Sequence, residues 1–243
     1  MDKLGPYDVR DFRRPDLIRA RDANAETLRF ANYIVQVVRI LLEQAIDLGW
    51  IRENPAKGVP LLKSDGPGRE PWPTELIEAY RATATGRALL IFELCLGTGQ
   101  RIGDVLRMRW DAIEDGGITL RQGKTGTELW IPLTARLSAA LAVTPRVGLT
   151  ICAQPNGRPT SYRGAADLVM KVRREIGAEA YDIHSLRYAT TAELAALGCG
   201  DDLIQAVTGH KLTAMVAKYA GKARQKARAI AAQAAREQNK SRT

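Results

Sequence analysis

Between Lys57 and Pro73 the chain places Gly58, Pro60, Gly66, Pro67, Gly68, Pro71 and Pro73, and few apolar residues follow Leu62. Proline fixes φ and removes a backbone donor, and glycine loses the most freedom on being ordered. Such a run cannot be the middle of a helix or a sheet. It has the composition of a linker and divides the chain. The expected layout is a helical unit over residues 1–60, a linker over 61–72 and a larger domain from 73 to 221, followed by a basic tail over 222–243.

Within those bounds helical periodicity dominates. Residues 1 to about 23 are charged and interrupted by proline. Asp22 to Gly49 then reads as one long helix or a helix pair. Leu28, Ala31, Ile34, Val35, Val38, Leu41, Leu42 and Ala45 form its apolar stripe. Past the linker, Thr74 is expected to cap a helix through Leu76, Ile77 and Tyr80. Arg87 to Leu96 is apolar nearly all round and predicts a buried helix. Gly97-Thr98-Gly99-Gln100 ends it, and a new helix starts at Arg101.

The period then changes. Ile118–Arg121 and Glu128–Pro132 read as strands joined by a hairpin loop with glycines on either side of Lys124. Helix returns over Thr134–Val143, Ser161–Gly177 and Ile183–Leu197, with a short strand at Leu149–Cys152. Asp201 is expected to cap a helix to Val207. Thr213–Tyr219 forms a further piece that Gly221 ends, before an alanine-rich helix over Lys222–Arg236. The fold class is mainly α with a small antiparallel β-sheet (α+β).

Charge narrows the partner. Lys and Arg number 36 against 27 acidic residues, a net charge of +9, which favours a polyanion, nucleic acid before an anionic membrane surface. Seven basic residues and one acidic residue between Lys222 and Thr243 give +6 of that +9, so the body is only mildly basic. Arg29, Arg39, Lys171, Arg173 and Arg174 are the candidate DNA contacts on helices, with a solvated face as the competing reading of each. Three scattered cysteines show no CxxC or Cys/His cluster, so neither a disulfide framework nor a zinc site is indicated. Charged residues follow Met1 and no apolar run approaches membrane-spanning length, which makes the cytoplasm the default location. No P-loop or GxGxxG is present, so no nucleotide cofactor is expected.

The chemistry-bearing residues are few. The chain has two histidines. His184 lies three residues before Arg187, so the two share a helix face, and His210 follows Gly209. An imidazole beside a guanidinium fork suits a phosphate. Taken singly these features are weak. A HxxR pair is often structural, a hairpin lysine is usually solvated, and Arg101 with Asp104 reads equally as a surface ion pair.

In order, however, the chain carries Gly97-Thr98-Gly99-Gln100-Arg101-Ile102-Gly103-Asp104, the hairpin Lys124, His184-Ser185-Leu186-Arg187, and Thr208-Gly209-His210 followed by Tyr219. This ordered set resembles the tyrosine recombinase (phage integrase) family over about residues 72–221. The resemblance implies a catalytic domain preceded by a partial helical core-binding domain, since only about sixty residues precede the linker. It implies that Tyr219 attacks a DNA phosphodiester to form a phosphotyrosine, that Arg101 and Arg187 clamp the non-bridging oxygens, and that Lys124 protonates the leaving 5′ oxygen. His184 would handle a proton near the nucleophile, His210 would hydrogen-bond the scissile phosphate, and Asp104 would support Arg101. No metal or other cofactor is implied.

The implied partners are double-stranded DNA, a tetramer of the chain on that DNA with a monomer when free, and accessory DNA-bending proteins. A C-terminal helix docking in trans through Ala223, Ala227, Ile230 and Ala234 is also implied, with a disordered basic tail that holds DNA non-specifically as its alternative. A non-catalytic DNA-binding regulator and a type IB topoisomerase are the alternatives on the same fold.

Overall fold

The computed structural model describes residues 8–63 and 69–240, so the linker centre and the extreme termini lie outside the described residues. The chain falls into two compact units, Met1–Pro67 and Gly68–Thr243.

In the first unit, helix α1 (Arg14–Asp22) occupies part of the stretch read as proline-interrupted. Pro15 sits in its first turn, where a missing N–H has no helical partner to lose. Asp16 accepts from the Arg13 backbone N–H at 2.8 Å and closes a capping box. Turns follow, and α2 (Leu28–Asp47) starts later than the expected Asp22. Leu17, Val35, Leu42, Ala56 and Val59 form the small core. The chain beyond α2 is held by side chains. Arg14 donates to the carbonyls of Lys57 and Gly58, Arg21 to Pro60, and Asn32 to Leu62. Residues that read as the start of a linker are therefore tied down through their carbonyls.

The second unit is built around α4 (Gly86–Thr98), whose Leu90, Ile91, Phe92, Leu94 and Cys95 are all buried, as its apolar circumference requires. Against it pack α6 (Ala135–Ala142), α7 (Tyr162–Glu175) and α8 (Ser185–Ala196). Helix α3 (Thr74–Thr83) brings Tyr80 onto Phe92 with ring centroids 3.9 Å apart and 11° between planes. Pro73, not Thr74, takes the N-cap position of α3. Thr74 is already helical, and its side chain makes no capping bond. The short α5 (Ile102–Val105) leads to a three-stranded antiparallel sheet, β1 (Ile113–Glu114), β2 (Gly117–Arg121) and β3 (Glu128–Pro132). The β2–β3 register runs from Gly117↔Pro132 to Arg121↔Glu128, which places Gln122 to Thr127 in the hairpin loop.

Three further expectations change. Leu149–Cys152 makes a single bridge, Arg109↔Thr150, because its partner strand turns into a 3₁₀ helix at Trp110 and the ladder cannot extend. Gly200 takes the N-cap position of α9 (Asp201–Thr208), with Asp201 inside the first turn, where a negative charge suits the helix dipole. Finally, Gly221 does not end a helix. One helix, α10, runs from Thr213 to Lys240. An internal glycine costs roughly 1 kcal/mol, and here α10 packs Val216 and Ala220 against Ala195 and Ile204. No helix among the described residues is long and apolar enough to cross a membrane.

Candidate active site

The turn after α4 sets the site. Gly99 lies at φ 63°, a left-handed conformation that costs glycine nothing, and closes the helix. Its carbonyl then faces Arg187, which donates Nη1–H at 2.8 Å. Arg101, two residues on, takes the N-cap position of α5. Gln100 is buried and donates to the carbonyls of Thr98 and Val207, and its own Oε1 accepts from Gln122 at 2.6 Å. Gln122 also donates to the Thr208 carbonyl at 2.9 Å. These amides join the α4–α5 turn, the hairpin and the end of α9. Gly209 is needed at that junction. It sits at φ 68°, and a Cβ there would lie 2.5 Å from the Gln122 amide nitrogen.

Asp104 fixes the hairpin. Its buried carboxylate accepts from the Gly123 backbone N–H at 2.8 Å and from Arg107 at 2.5 Å. Its other oxygen is 3.9 Å from Arg101 Nη1, too far for a hydrogen bond. Asp104 thus holds the backbone next to Lys124 more directly than it holds Arg101. Lys124 itself is exposed at the loop tip.

Arg187 is 1% exposed. Besides Gly99 it donates Nε–H to His210 Nε2 at 3.2 Å. That bond makes Nε2 an acceptor, so the proton sits on Nδ1, which meets Thr208 Oγ1 at 2.8 Å. Thr208 in turn donates to the Ile204 carbonyl. Burial first, and then the charges of Arg187 and Arg101, push His210 down to about 4. Burial first, and then Arg101, lower Arg187 to about 10, so it stays charged at neutral pH. In this arrangement His210 faces Arg187 rather than open space. A neutral imidazole whose Nε2 lone pair faces Arg187 has no N–H to offer there, and it orients Arg187 instead.

His184 occupies the N-cap position of α8, but Asp182 does the capping, accepting from the Ser185 N–H at 2.9 Å and its hydroxyl at 3.0 Å. Arg69 donates to the other Asp182 oxygen at 2.6 Å, and Trp72 donates to the Asp182 carbonyl. Burial, and then the Arg69 charge, lower the His184 pKa. A cleft of about 500 Å³ is lined by Arg69, Arg101, Arg107, Lys124 and His184, with Asp104 and Asp182 as its acidic members. Its four cationic side chains outnumber its two carboxylates, a balance that suits an anion. Two guanidinium nitrogens, Arg101 Nη1 and Arg187 Nη2, are buried without a hydrogen-bond partner among the described residues.

Arg187, His210 and Tyr219 do not line that cleft. Tyr219 is half-buried on α10, with the Lys218 ammonium 5.6 Å from its ring centroid. Its ring lies on Tyr188, 3.7 Å away and 11° from parallel. Tyr188 follows Arg187 directly but carried no signal in the sequence. Arg107, three residues after Asp104, was not singled out in the sequence, and Gln122 carried no signal.

The candidate DNA contacts separate. Arg29, Lys171 and Arg174 are exposed. Arg173 is buried and donates to the carbonyls of Ala178 and Glu179, closing the end of α7, so it is not a surface contact. Arg39 is also turned inward, donating to the Val59 carbonyl at 2.9 Å.

With this geometry in hand, residues 74–226 match the model of the phage integrase family. The integrase of Escherichia phage HK022 is 30% identical over 215 residues, covering 82% of this chain and 58% of that relative. A crystal structure of a lambda integrase dimer bound to a COC′ core site aligns at TM-score 0.75 and 25% identity, covering 87% of this chain and 65% of that one. A lambda integrase tetramer bound to a Holliday junction aligns at TM-score 0.73 and 25% identity, over 84% and 66%. The chain spans between half and three-fifths of the length of the curated integrases it matches over most of its length. The family model covers more than half of the chain, and the chain belongs to the phage integrase family, the tyrosine recombinases.

Proposed function

We propose that this protein is a site-specific DNA recombinase, cutting and rejoining double-stranded DNA through a 3′-phosphotyrosine at Tyr219 without ATP or a metal. The observation that carries this reading is the pair of guanidinium groups, Arg101 and Arg187, each held in the site with one buried nitrogen unpartnered. A buried donor without an acceptor is costly, and a phosphodiester's non-bridging oxygens supply the missing acceptors.

The step balances. The Tyr219 oxygen forms a bond to phosphorus, the bond from phosphorus to the 5′ oxygen breaks, and Lys124 gives that oxygen a proton. An ammonium can do this where a guanidinium holds its proton. His184, kept neutral by burial, takes the proton of the phenol. Arg101 and Arg187 stabilise the charge that builds on the phosphorus oxygens. The reverse attack by a 5′ hydroxyl rejoins the strand, so no external energy source is needed.

DNA contacts are assigned to Arg29, Lys171 and Arg174. A tetramer on DNA, a monomer when free and accessory bending proteins belong to the same proposal, with the cytoplasm as location. Exposed Ile230 and Ala234 leave the outer end of α10 an apolar stripe for a neighbouring protomer.

Covalent trapping tests the reading. Nicked duplexes from the host locus are incubated with wild type and Tyr219→Phe, washed in denaturant, and the retained DNA is sequenced. Adducts at a defined site in wild type only are expected. Equal retention by the two proteins would overturn the proposal and favour a non-catalytic regulator.

A further inference from the structure

The chemistry above leaves the buried phenol beside Tyr219 without a role. Tyr188 is 6% exposed and lies four residues after His184, on the same side of α8. Its ring meets the His184 imidazole edge-on, with centroids 5.1 Å apart and planes at 76°. Its other neighbour is Tyr219, stacked nearly parallel at 3.7 Å. One side chain therefore touches both the base and the nucleophile, and it spans the packed faces of α8 and α10.

Two stacked tyrosines bring their hydroxyls together. Burial first, and then the neighbouring Tyr219, raise the Tyr188 pKa, while Arg69 acts in the opposite sense. Tyr188 thus holds its proton more tightly than a free phenol does. Around them stand Arg69 and Asp182 from the segments ahead of α3 and α8, His184 and Arg187 on α8, and Lys218 on α10. Arg69 and Asp182 pair with each other, and the Tyr188 hydroxyl is a neutral group among these charges, on the ring stacked against Tyr219.

We infer that Tyr188 is a positioning residue for strand cleavage: its ring sets the orientation of the Tyr219 ring, and its hydroxyl donates a hydrogen bond to the Tyr219 oxygen as that oxygen becomes the attacking phenolate. Tyr188 forms no covalent bond and keeps its own proton; the Tyr219 proton leaves through His184. This inference rests on the reading of Tyr219 as nucleophile.

The test is single-turnover adduct formation by the full chain on the nicked duplex identified by trapping, followed from pH 6 to pH 10. Tyr188→Phe keeps the stack and removes the donor. It is expected to be about tenfold slower near neutral pH, with the rising limb of the profile moved about one unit to higher pH, one unit being a factor of ten. The deficit closes once the phenol ionises unaided. Tyr188→Leu removes the platform and is expected to be slow at every pH, with thermal melting confirming a folded chain.

A Tyr188→Phe profile that coincides with wild type, or one lowered by the same factor throughout, overturns the inference, because packing alone does not move the limb. Faster cleavage by either variant also overturns it and makes the stack an inhibitory contact. Absence of adducts from wild type would instead sink the Tyr219 reading, and the role of Tyr188 with it.

Discussion

Arg187 is 1% exposed and tied to Gly99 and His210, whereas Lys124 stands exposed at a hairpin tip and Tyr219 lies half-buried on a helix flank. The proposed phosphate-gripping residues sit in an over-determined frame. Gln100, Gln122, Thr208 and Gly209 fix the walls around them through buried amides, a hydroxyl and tight backbone. Lys124 and Tyr219, the proposed acid and nucleophile, are held by one carboxylate–backbone contact and one ring stack. The difference follows the chemistry. A receptor for transition-state charge gains from being fixed before the reaction, while groups that must reach and release DNA strands gain from lighter tethers. The comparison makes a demand: substitutions in the buried half should cost stability and activity together, and those in the exposed half activity alone.

The largest double effect is expected at Arg187. Arg187→Lys keeps a positive charge but not the fork that reaches Gly99 and His210 at once. Adduct formation should fall about 10³-fold. The stranded Gly99 carbonyl should cost about 1–3 kcal/mol of stability, read as a lowered urea midpoint. A normal midpoint with lost activity would break the comparison, because it would mean the buried network does not depend on its central cation.

Lys124→Ala is the counterpart in the exposed half. Cleavage should drop about 10²-fold, with the melting temperature unchanged. A substrate carrying a 5′-bridging sulfur, whose leaving group needs no proton, should restore the rate. Failure of that rescue would remove Lys124 from the acid's role and leave Arg121 as the nearest cation on the hairpin. Asp104→Ala sharpens the contrast by one bond. It frees Gly123 and Arg107, so it should mimic Lys124→Ala in rate yet also lower stability.

The two halves also differed in how well they could be read. Arg101, Lys124, His184, Arg187, His210 and Tyr219 could be picked out as candidates because ordered residue types at motif spacing survive without knowledge of packing. The strands of the hairpin were legible because strict bounds of glycine and alternation leave little choice. Arg173 and Arg39 were misread for a physical reason. A basic residue near a helix end or beside a loop can spend its fork on carbonyls, and composition does not say which carbonyls are near. Gly221 was read as a stop because its propensity is local, while the packing of Val216 and Ala220 that carries α10 through it is tertiary. Tyr188 and Gln122 matter through partners 31 and 22 residues away, Tyr219 and Gln100, and no spacing rule reaches that far.

A last expected effect, on stability alone, tests the buried half without touching DNA. His210 binds a proton near its ordinary value of 6.5 when unfolded, but only near 4 when folded. Between those values the unfolded chain holds more protons, so stability is full above pH 6.5 and declines as pH falls toward 4. The buried imidazole contributes on the order of 3 kcal/mol to that decline, and His184, lowered in the same direction, adds to it. His210→Gln keeps a side chain able to accept from Arg187 and cannot titrate. Urea midpoints at pH 7.5 and pH 5 should therefore diverge for wild type and stay closer together for the variant. Parallel losses in the two proteins would show that His210 is not held neutral against Arg187, and the buried clamp would then be as loosely organised as the hairpin and the α10 face that surround it.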